Sequence, residues 1–162
     1  VLCAVICLLS YEISANWFQI MLIQGASMEP SYHAYQIVIL DKRYRDFQRG
    51  DVIAFTCEDF PALLVKRIAA VPNDTVEIVD GCLYVNHKLD VDASGRGRID
   101  HAGIAQNAVK LSESVYFVMG DNYKKSKDSC DKKIGCVKRS CIVGRVWPHC
   151  DRVETEKIII GS

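Results

Sequence analysis

The sequence has no surplus of either charge. Its 162 residues carry 20 Lys and Arg against 20 Asp and Glu, so the formal net charge is zero. Proteins that bind nucleic-acid phosphates need an excess of basic side chains, and we therefore predict no nucleic-acid partner. Eight cysteines are too few to indicate a scaffold built on disulfides. The chain is also long enough to bury a hydrophobic core without them.

Long hydrophobic runs are almost absent. The exception is an unbroken apolar run at residues 1–9, which is shorter than the about 20 residues that span a bilayer. Three interpretations stay open: the end of a transmembrane anchor, the hydrophobic part of a secretion signal, or a buried element of the domain.

Helical periodicity is missing after residue 16, and there is no internal repeat. Short β-branched runs between turns indicate antiparallel strands instead, and Asp80-Gly81 is typical of a two-residue hairpin turn. The predicted fold class is mainly β, with antiparallel sheets in a barrel-like domain. Residues 86–112 are polar and predict a loop or small insertion. The predicted strands are residues 17–23, 36–40, 51–56, 63–71, 75–79, 82–85, 115–119 and 141–147.

The common signatures of a Ser-His-Asp site are absent, since no Gly-x-Ser-x-Gly motif accompanies any of the four histidines. A serine and a lysine are more informative. Ser27 ends an apolar stretch, and Lys66 lies in an otherwise apolar strand, where alternation puts it on one face with Leu64 and Ile68. Desolvation lowers the pKa of a lysine, and a neutral amine can activate a serine hydroxyl. The alternative is that Lys66 extends its amine to water and Ser27 only ends a turn.

Four blocks of sequence resemble type I signal peptidases, the membrane-anchored serine proteases that remove signal peptides from exported proteins. Ser-Met-x-Pro alone is a weak signal, but four blocks in the family's order, with Ser27 and Lys66 39 positions apart, are specific. The matches span residues 17–147. The blocks are SMEP at 27–30, GDVIAF at 50–55, KRIAAVPND at 66–74 and GDNYKKSKDS at 120–129.

The resemblance implies a role for each matched residue. Ser27 would be the nucleophile and neutral Lys66 the general base. Ser126 would orient the Lys66 amine, and Asp128 would brace the site. The backbone N–H of Ser27 would bind the oxyanion. The surrounding substrate and oxyanion region would comprise Gly25, Ala26, Met28, Pro30, Gly120, Asp121 and Asn122.

The resemblance also implies an organisation and a location. Residues 1–15 would be the end of an N-terminal transmembrane helix, and residues 16–162 a catalytic β domain on the extracytoplasmic face of the cell membrane. The short insertion is typical of the compact form found in bacteria with a single membrane. No cofactor or metal is implied. The partners would be preproteins with small residues before the cut, membrane lipid and the secretion machinery.

Two other interpretations were weighed. Self-cleaving Ser/Lys repressors share the serine and lysine, but this chain has no DNA-binding helices and begins with an apolar segment. A non-catalytic or dedicated pilus-assembly factor on the same fold remains the alternative.

Two positions depart from the family pattern. The last block usually closes with an arginine that pairs with the aspartate, whereas this chain has Cys130 there. Arg145 or a nearby lysine could take over that pairing. Gly25 stands where some members carry a serine that donates to the oxyanion, so a second donor is unassigned.

The cysteines and the basic stretch at residues 124–145 leave alternatives open. Cys130 and Cys136 could form a disulfide beside the proposed site, or they could be free thiols. Cys130, Cys136, Cys141 and Cys150 could bind zinc with His149, although their spacing lacks the paired short knuckles of a structural zinc site. The eight basic residues at 124–145 fit either a solvated loop or contact with anionic lipid.

Overall fold

The computed structural model describes residues 16–91 and 96–147. Within them the chain forms eleven strands and two 3-10 turns, Gly103–Gln106 and Arg139–Cys141. No helix in this part of the chain is long and apolar enough to cross a membrane. The strands are β1 (Phe18–Leu22), β2 (Ile37–Asp41), β3 (Val52–Cys57), β4 (Phe60–Ala70), β5 (Thr75–Val79), β6 (Cys82–Val85), β7 (Lys88–Leu89), β8 (Val109–Lys110), β9 (Val115–Met119), β10 (Val137–Lys138) and β11 (Ile142–Trp147).

The strands form two sheets in which every pair is antiparallel. The larger sheet has seven strands in the order β1-β2-β11-β3-β4-β9-β10, and the smaller has four in the order β7-β6-β5-β8. β4 and β5 connect the two sheets through a turn in which Asp74 accepts the N–H of Val71 at 3.0 Å. The predicted hairpin between β5 and β6 is confirmed, because Val79 pairs with Cys82 around Asp80-Gly81.

The mainly β, antiparallel prediction is confirmed, but the barrel-like closure is wrong. Among the described residues, the larger sheet ends at β1 and at β10 without pairing them to each other. All eight predicted strands form. The three that the pattern missed are β7, β8 and β10, each of two residues, too short to show alternation. The predicted transmembrane helix at residues 1–15 lies outside the described residues.

The described residues of the 86–112 segment, 86–91 and 96–112, border the smaller sheet. They supply its two short outer strands, β7 and β8, and the first 3-10 turn. Ile99 is buried at 8% exposure, and its N–H donates to the carbonyl of Gly81 at 3.0 Å. This segment is therefore attached to the β5–β6 hairpin at Ile99. The attachment positions the residues just before Ile99.

The core consists of three clusters that surround the central strands. The first joins the smaller sheet to β4 and β9 and includes Val76, Leu83 and Phe117. The second cluster includes Phe55 and lies on the larger sheet. The third cluster underlies the loop between β1 and β2.

The second half of β4 is buried on both faces. All five residues from Lys66 to Ala70 are less than 9% exposed, so alternation leaves neither face of this stretch in water. Strands covered on both sides are normally continuous in apolar residues. Lys66 and Arg67 are therefore two charge-bearing side chains that need compensation inside the protein.

We expect Phe117→Ala to lower the free energy of unfolding by about 3–5 kcal/mol, because it removes a fully buried ring from the first cluster and leaves a cavity. Urea denaturation measures the loss. Leu89→Ala is the control, since Leu89 is 44% exposed on the outer strand β7. Equal losses in the two variants would contradict the assigned core.

Candidate active site

The loop between β1 and β2 is held at its ends and from below. Ile23 donates its N–H to the carbonyl of Gln36 at 2.9 Å and accepts the N–H of Tyr35 at 2.8 Å. Inside the loop, Met28 and Tyr32 are 1% and 0% exposed and belong to the third core cluster. Because both anchors are in the core, the loop has a defined position over the larger sheet.

The tip of this loop presents Ser27. Gly25 has φ of +77°, a backbone conformation that favours glycine, and a Cβ placed there would meet nothing within 4 Å. Ala26 accepts the N–H of Glu29 at 3.3 Å in a turn, and Glu29-Pro30 is a cis peptide. The approach to Ser27 from the Gly25 side is therefore open.

Lys66 reaches Ser27 from β4, in the middle of the larger sheet. On β4 it pairs in register with Ile53 of β3, and its Nζ atom is hydrogen-bonded to Ser27 Oγ at 2.7 Å. The side chain is buried, with 4% of its residue surface exposed. The fold thus brings together two groups that lie 39 positions apart in the sequence, and water has little access to the amine.

The environment of Lys66 favours the neutral amine. Burial lowers its pKa from 10.5 to about 8, against the opposing effect of the negative charges of Asp128 and Asp121. Among the described residues no carboxylate forms an ion pair with the amine, and desolvation is the larger effect. With a pKa of about 8, about one molecule in ten holds a neutral Lys66 at pH 7, and this neutral amine can accept a hydrogen bond from the Ser27 hydroxyl.

The loop after β9 closes over the serine. Asn122 donates its N–H to the carbonyl of Ser27 at 3.0 Å. A Cβ on Gly120 would lie 2.5 Å from the same carbonyl and would collide with Ser126 Oγ, so this close approach requires glycine. Ser126 Oγ is buried and has no hydrogen-bond partner among the described residues.

Asp128 braces this loop from within. The residue is 5% exposed, and its two carboxylate oxygens accept the N–H groups of Gly120, at 3.4 Å, and of Cys130, at 3.2 Å. The carboxylate therefore spans the loop that carries Ser126. Its charge also acts on the Lys66 amine.

A buried ion pair, which the sequence analysis did not identify, ties the site together. Arg67 contacts Asp121 through two hydrogen bonds, Nε to Oδ1 at 2.9 Å and Nη2 to Oδ2 at 2.7 Å. The same guanidinium donates to the carbonyl of Gly50 at 2.7 Å and to Ser31 Oγ at 3.3 Å. Arg96 lies on the other side, with its Nε 3.2 Å from Asp121 Oδ1. These contacts hold the pKa of the Asp121 carboxyl below its usual value, despite its burial.

This pair links the three segments that contribute Ser27, Lys66 and Gly120. The sequence offered one sign of it, because Arg67 follows Lys66 directly in an apolar strand and its charge needs a partner there. The resemblance places Asp121 in the substrate region, whereas its side chain is 1% exposed and bonded to arginine. Met28, assigned to the same region, is likewise in the core.

The position of the missing arginine is filled by a thiol. Cys130 is 8% exposed, and its carbonyl is so close to Gly103 that a Cβ there would collide with it. Burial, followed by the negative charge of Asp128, raises the pKa of the thiol, which stays protonated. Arg145 does not replace the arginine, because it pairs with Asp51 at 3.5 Å. No described residue forms an ion pair with Asp128.

The cysteines are unpaired in the described part of the chain. Cys57, Cys82, Cys130, Cys136 and Cys141 are free thiols, so the disulfide alternative for Cys130 and Cys136 is wrong. Residues 16–91 and 96–147 contain no group of three His, Cys, Asp or Glu side chains that could hold a metal ion. Cys150 and His149 lie outside the described residues.

A buried amine against a serine hydroxyl, under a glycine loop, is an arrangement that can activate a nucleophile. Comparison with known proteins identifies the class, since the model of a peptidase family matches residues 1–149. The chain belongs to that family, described as signal peptidase, peptidase S26.

Two relatives from Bacillus species agree with this assignment. Signal peptidase I of Bacillus licheniformis is 33% identical over 131 residues, which are 75% of this chain and 70% of the relative. Signal peptidase I S of Bacillus subtilis (strain 168) is 36% identical over 119 residues, which are 66% of this chain and 63% of the relative. A crystal structure of a signal peptidase I from Enterococcus faecalis V583 aligns with a TM-score of 0.49 and 29% identity, over 62% of this chain and 96% of the other.

The low pKa of Lys66 predicts a pH-dependent cost in stability. Below about pH 8 the amine is protonated in both folded and unfolded chains, and the fold carries the full penalty of the buried charge. Between about pH 8 and 10.5 only the unfolded chain binds this proton, so stability rises with pH across that window.

We therefore expect Lys66→Met to be more stable than the wild type at pH 6, by up to about 3 kcal/mol. This advantage should shrink as the pH approaches 10.5. Urea denaturation at pH 6 and pH 10 measures it, and Lys88→Met on the exposed strand β7 is the control. A constant difference between the wild type and Lys66→Met would contradict the depressed pKa.

Proposed function

We propose that this chain is a membrane-bound serine endopeptidase that removes N-terminal signal peptides from exported proteins, with Ser27 as nucleophile and neutral Lys66 as general base. The observation that carries the proposal is the 2.7 Å contact between Lys66 Nζ and Ser27 Oγ, made by an amine that is 4% exposed. Family membership supplies the reaction class.

The reaction begins when Ser27 Oγ bonds to the scissile carbonyl carbon and Lys66 takes the hydroxyl proton. The tetrahedral intermediate then loses its C–N bond as the Lys66 ammonium protonates the leaving amine of the mature protein. The signal peptide is now an ester of Ser27. A water molecule attacks this ester while Lys66 accepts a proton from the water. Lys66 finally returns that proton to Ser27 Oγ.

The backbone N–H of Ser27 is the proposed oxyanion donor. No described acceptor takes this N–H, so it is available to a substrate oxygen. Asn122 and Gly120 hold the carbonyl side of the same residue, which orients its backbone. A preorganised donor of this kind is typically worth ~10²–10³ in rate.

Ser126 and Asp128 are proposed as supporting residues. The buried, unpartnered Ser126 Oγ lies beside Gly120 and can accept a hydrogen bond from the Lys66 ammonium once it forms. Asp128 holds the Ser126 loop through two backbone N–H groups. Its charge also favours the ammonium, and so stabilises the protonated intermediate state of the base.

The test is cleavage of a preprotein with Ala-x-Ala before the cut, in detergent, from pH 6 to 10. For the wild type we expect kcat/KM to rise with pH up to about 8 and then level off, because Lys66 must be neutral to act. Ser27→Ala and Lys66→Ala should each lose about 10³-fold or more. The matched controls are Ser112→Ala and Lys88→Ala, both at exposed positions.

Unchanged cleavage by Ser27→Ala or Lys66→Ala would end this mechanism. A folded wild-type protein that cleaves no preprotein would instead favour the alternative, a non-catalytic or dedicated pilus-assembly factor on the same fold.

The proposed location is the extracytoplasmic face of the cell membrane, with residues 1–15 as the anchor and residues 16–162 as the catalytic domain. An exposed apolar face on the larger sheet supports a lipid contact. On it Leu22 pairs with Ile37, and Ile20 lies beside Ile39, which in turn lies beside Trp147. Exposed fractions are 75% for Ile20 and 66% for Ile37. We define the apolar face as Phe18, Ile20, Leu22, Ile37, Ile39 and Trp147.

Aromatic and basic groups rim the apolar face, as is typical of proteins at a membrane interface. Arg43 lies over the rings of Trp17 and Phe18, 5.3 and 4.4 Å from their centroids. The first strand of the face begins only a few residues after the proposed anchor. We therefore propose that this face, rather than the basic stretch at 124–145 alone, lies against the bilayer near the site.

Both tryptophans of the chain, Trp17 and Trp147, are at the apolar face, so their fluorescence reports on it. For the full chain reconstituted in vesicles, we expect brominated lipid to quench this fluorescence. Replacing Ile20 and Ile37 together by Ser should weaken the quenching at least about twofold, because it removes apolar contact area. Val79→Ser on the smaller sheet is the control. Equal quenching in all three proteins would contradict the lipid contact.

A further inference from the structure

Arg96 is a residue of the 86–112 segment that reaches the peptidase site. Its Nε lies 3.2 Å from Asp121 Oδ1, and only 14% of its side chain is exposed. None of the four sequence blocks contains it. A long basic side chain that is mostly buried outside any strand needs a physical explanation.

The position of Arg96 is set by the residues that follow it. Arg98 donates to the carbonyl of Asp80, and Ile99 donates to the carbonyl of Gly81 while its side chain enters the core. The β5–β6 hairpin of the smaller sheet therefore holds the residues that follow Arg96. From this position the Arg96 guanidinium contacts Asp121 in the loop after β9.

The charges around the base explain what Arg96 does there. Two carboxylates act on Lys66, Asp128 and Asp121, and both favour the ammonium. Asp121 is faced by Arg67 and Arg96, and the hydroxyl of Ser31 also bonds to it.

Two further titratable groups near this cluster are uncharged near neutral pH. Tyr123 lies near Arg96 and Asp90, and burial raises its pKa to about 12. The thiol of Cys130 lies against Asp128 and stays protonated. Among the described residues, Arg67 and Arg96 are the cations in ion-pair contact with Asp121.

We propose that Arg96 is a positioning residue of the peptidase site, which shares the negative charge of Asp121 with Arg67 and ties the 86–112 segment to the Gly120 loop. This inference rests on the proposed function, because it concerns the protonation of the proposed base. The consequence is direct. Without the Arg96 charge, Asp121 acts more strongly on Lys66, the ammonium is favoured, and a larger fraction of the enzyme lacks a base at neutral pH.

A role in stability alone predicts something different. If Arg96 only stabilises the loop, its loss lowers the unfolding free energy and reduces activity by the same factor at every pH. The pH profile separates the two roles, since charge compensation moves the acid limb of kcat/KM and leaves the alkaline plateau in place.

The variants are Arg96→Gln, which removes the charge and keeps a polar side chain of similar length, and Arg96→Lys, which keeps the charge. Arg45→Gln is the matched control, because Arg45 is an exposed arginine whose described side-chain hydrogen bonds go to the backbone carbonyls of Lys42 and Tyr44, away from the site. The full-length protein in detergent is assayed on an Ala-x-Ala preprotein from pH 6 to 10. Thermal unfolding checks that each variant is folded.

For Arg96→Gln we expect the acid limb to move to higher pH by about 0.5 unit, which is about threefold in kcat/KM at pH 6.5, with little change at pH 10. Arg96→Lys and Arg45→Gln should keep the wild-type limb. A limb that stays in place in Arg96→Gln, or moves as far in Arg45→Gln, would overturn the proposal.

A second readout does not depend on activity. The titration of the Lys66 side chain, followed by NMR of its ε-carbon in Ser27→Ala protein, should move to higher pH when Arg96→Gln is added. If the wild type cleaves nothing but this titration moves, the proposed function fails and the Arg96 inference stands. If the wild type cleaves and the titration does not move, the Arg96 inference fails alone.

Discussion

The contact between the Lys66 amine and the Ser27 hydroxyl is the constraint around which the rest of the molecule is arranged. The contact requires an amine that is shielded from water, and this shielding requires protein on both faces of β4. The three core clusters and the loop between β1 and β2 provide that cover. A buried ammonium is costly, so the fold carries a local loss of stability at the point where the proposed chemistry takes place.

Neighbouring charges limit the stability that is lost by burying the ammonium, and they set the pKa of the amine. Burial favours the neutral form, whereas Asp128 and Asp121 favour the ammonium. Arg67 holds Asp121 and at the same time connects to Ser31 and Gly50. One ion pair thus does two things, because it joins the segments that carry the site and it adjusts the field at the base.

Much of the site could be inferred from local sequence. Ser27 lies between Gly25 and Pro30, and Lys66 interrupts an apolar strand. Each residue therefore differed from the pattern of its own segment and could be recognised from it. Arg96 and the Arg67–Asp121 pair were not, because an ion pair between distant segments leaves no local pattern. The open sheet was also missed, since strand periodicity says which residues pair with a sheet but not whether its two edges meet.

The sequence by itself determined the strand class, the eight longer strands, the hairpin at Asp80-Gly81 and the family, because alternation, turn chemistry and motif order are local properties. Only the tertiary structure decided that Lys66 Nζ lies 2.7 Å from Ser27 Oγ, that Arg145 pairs with Asp51 and not with Asp128, and that Arg96 reaches Asp121. Distances between segments and the removal of water depend on how the strands pack against each other, and packing involves the whole chain at once.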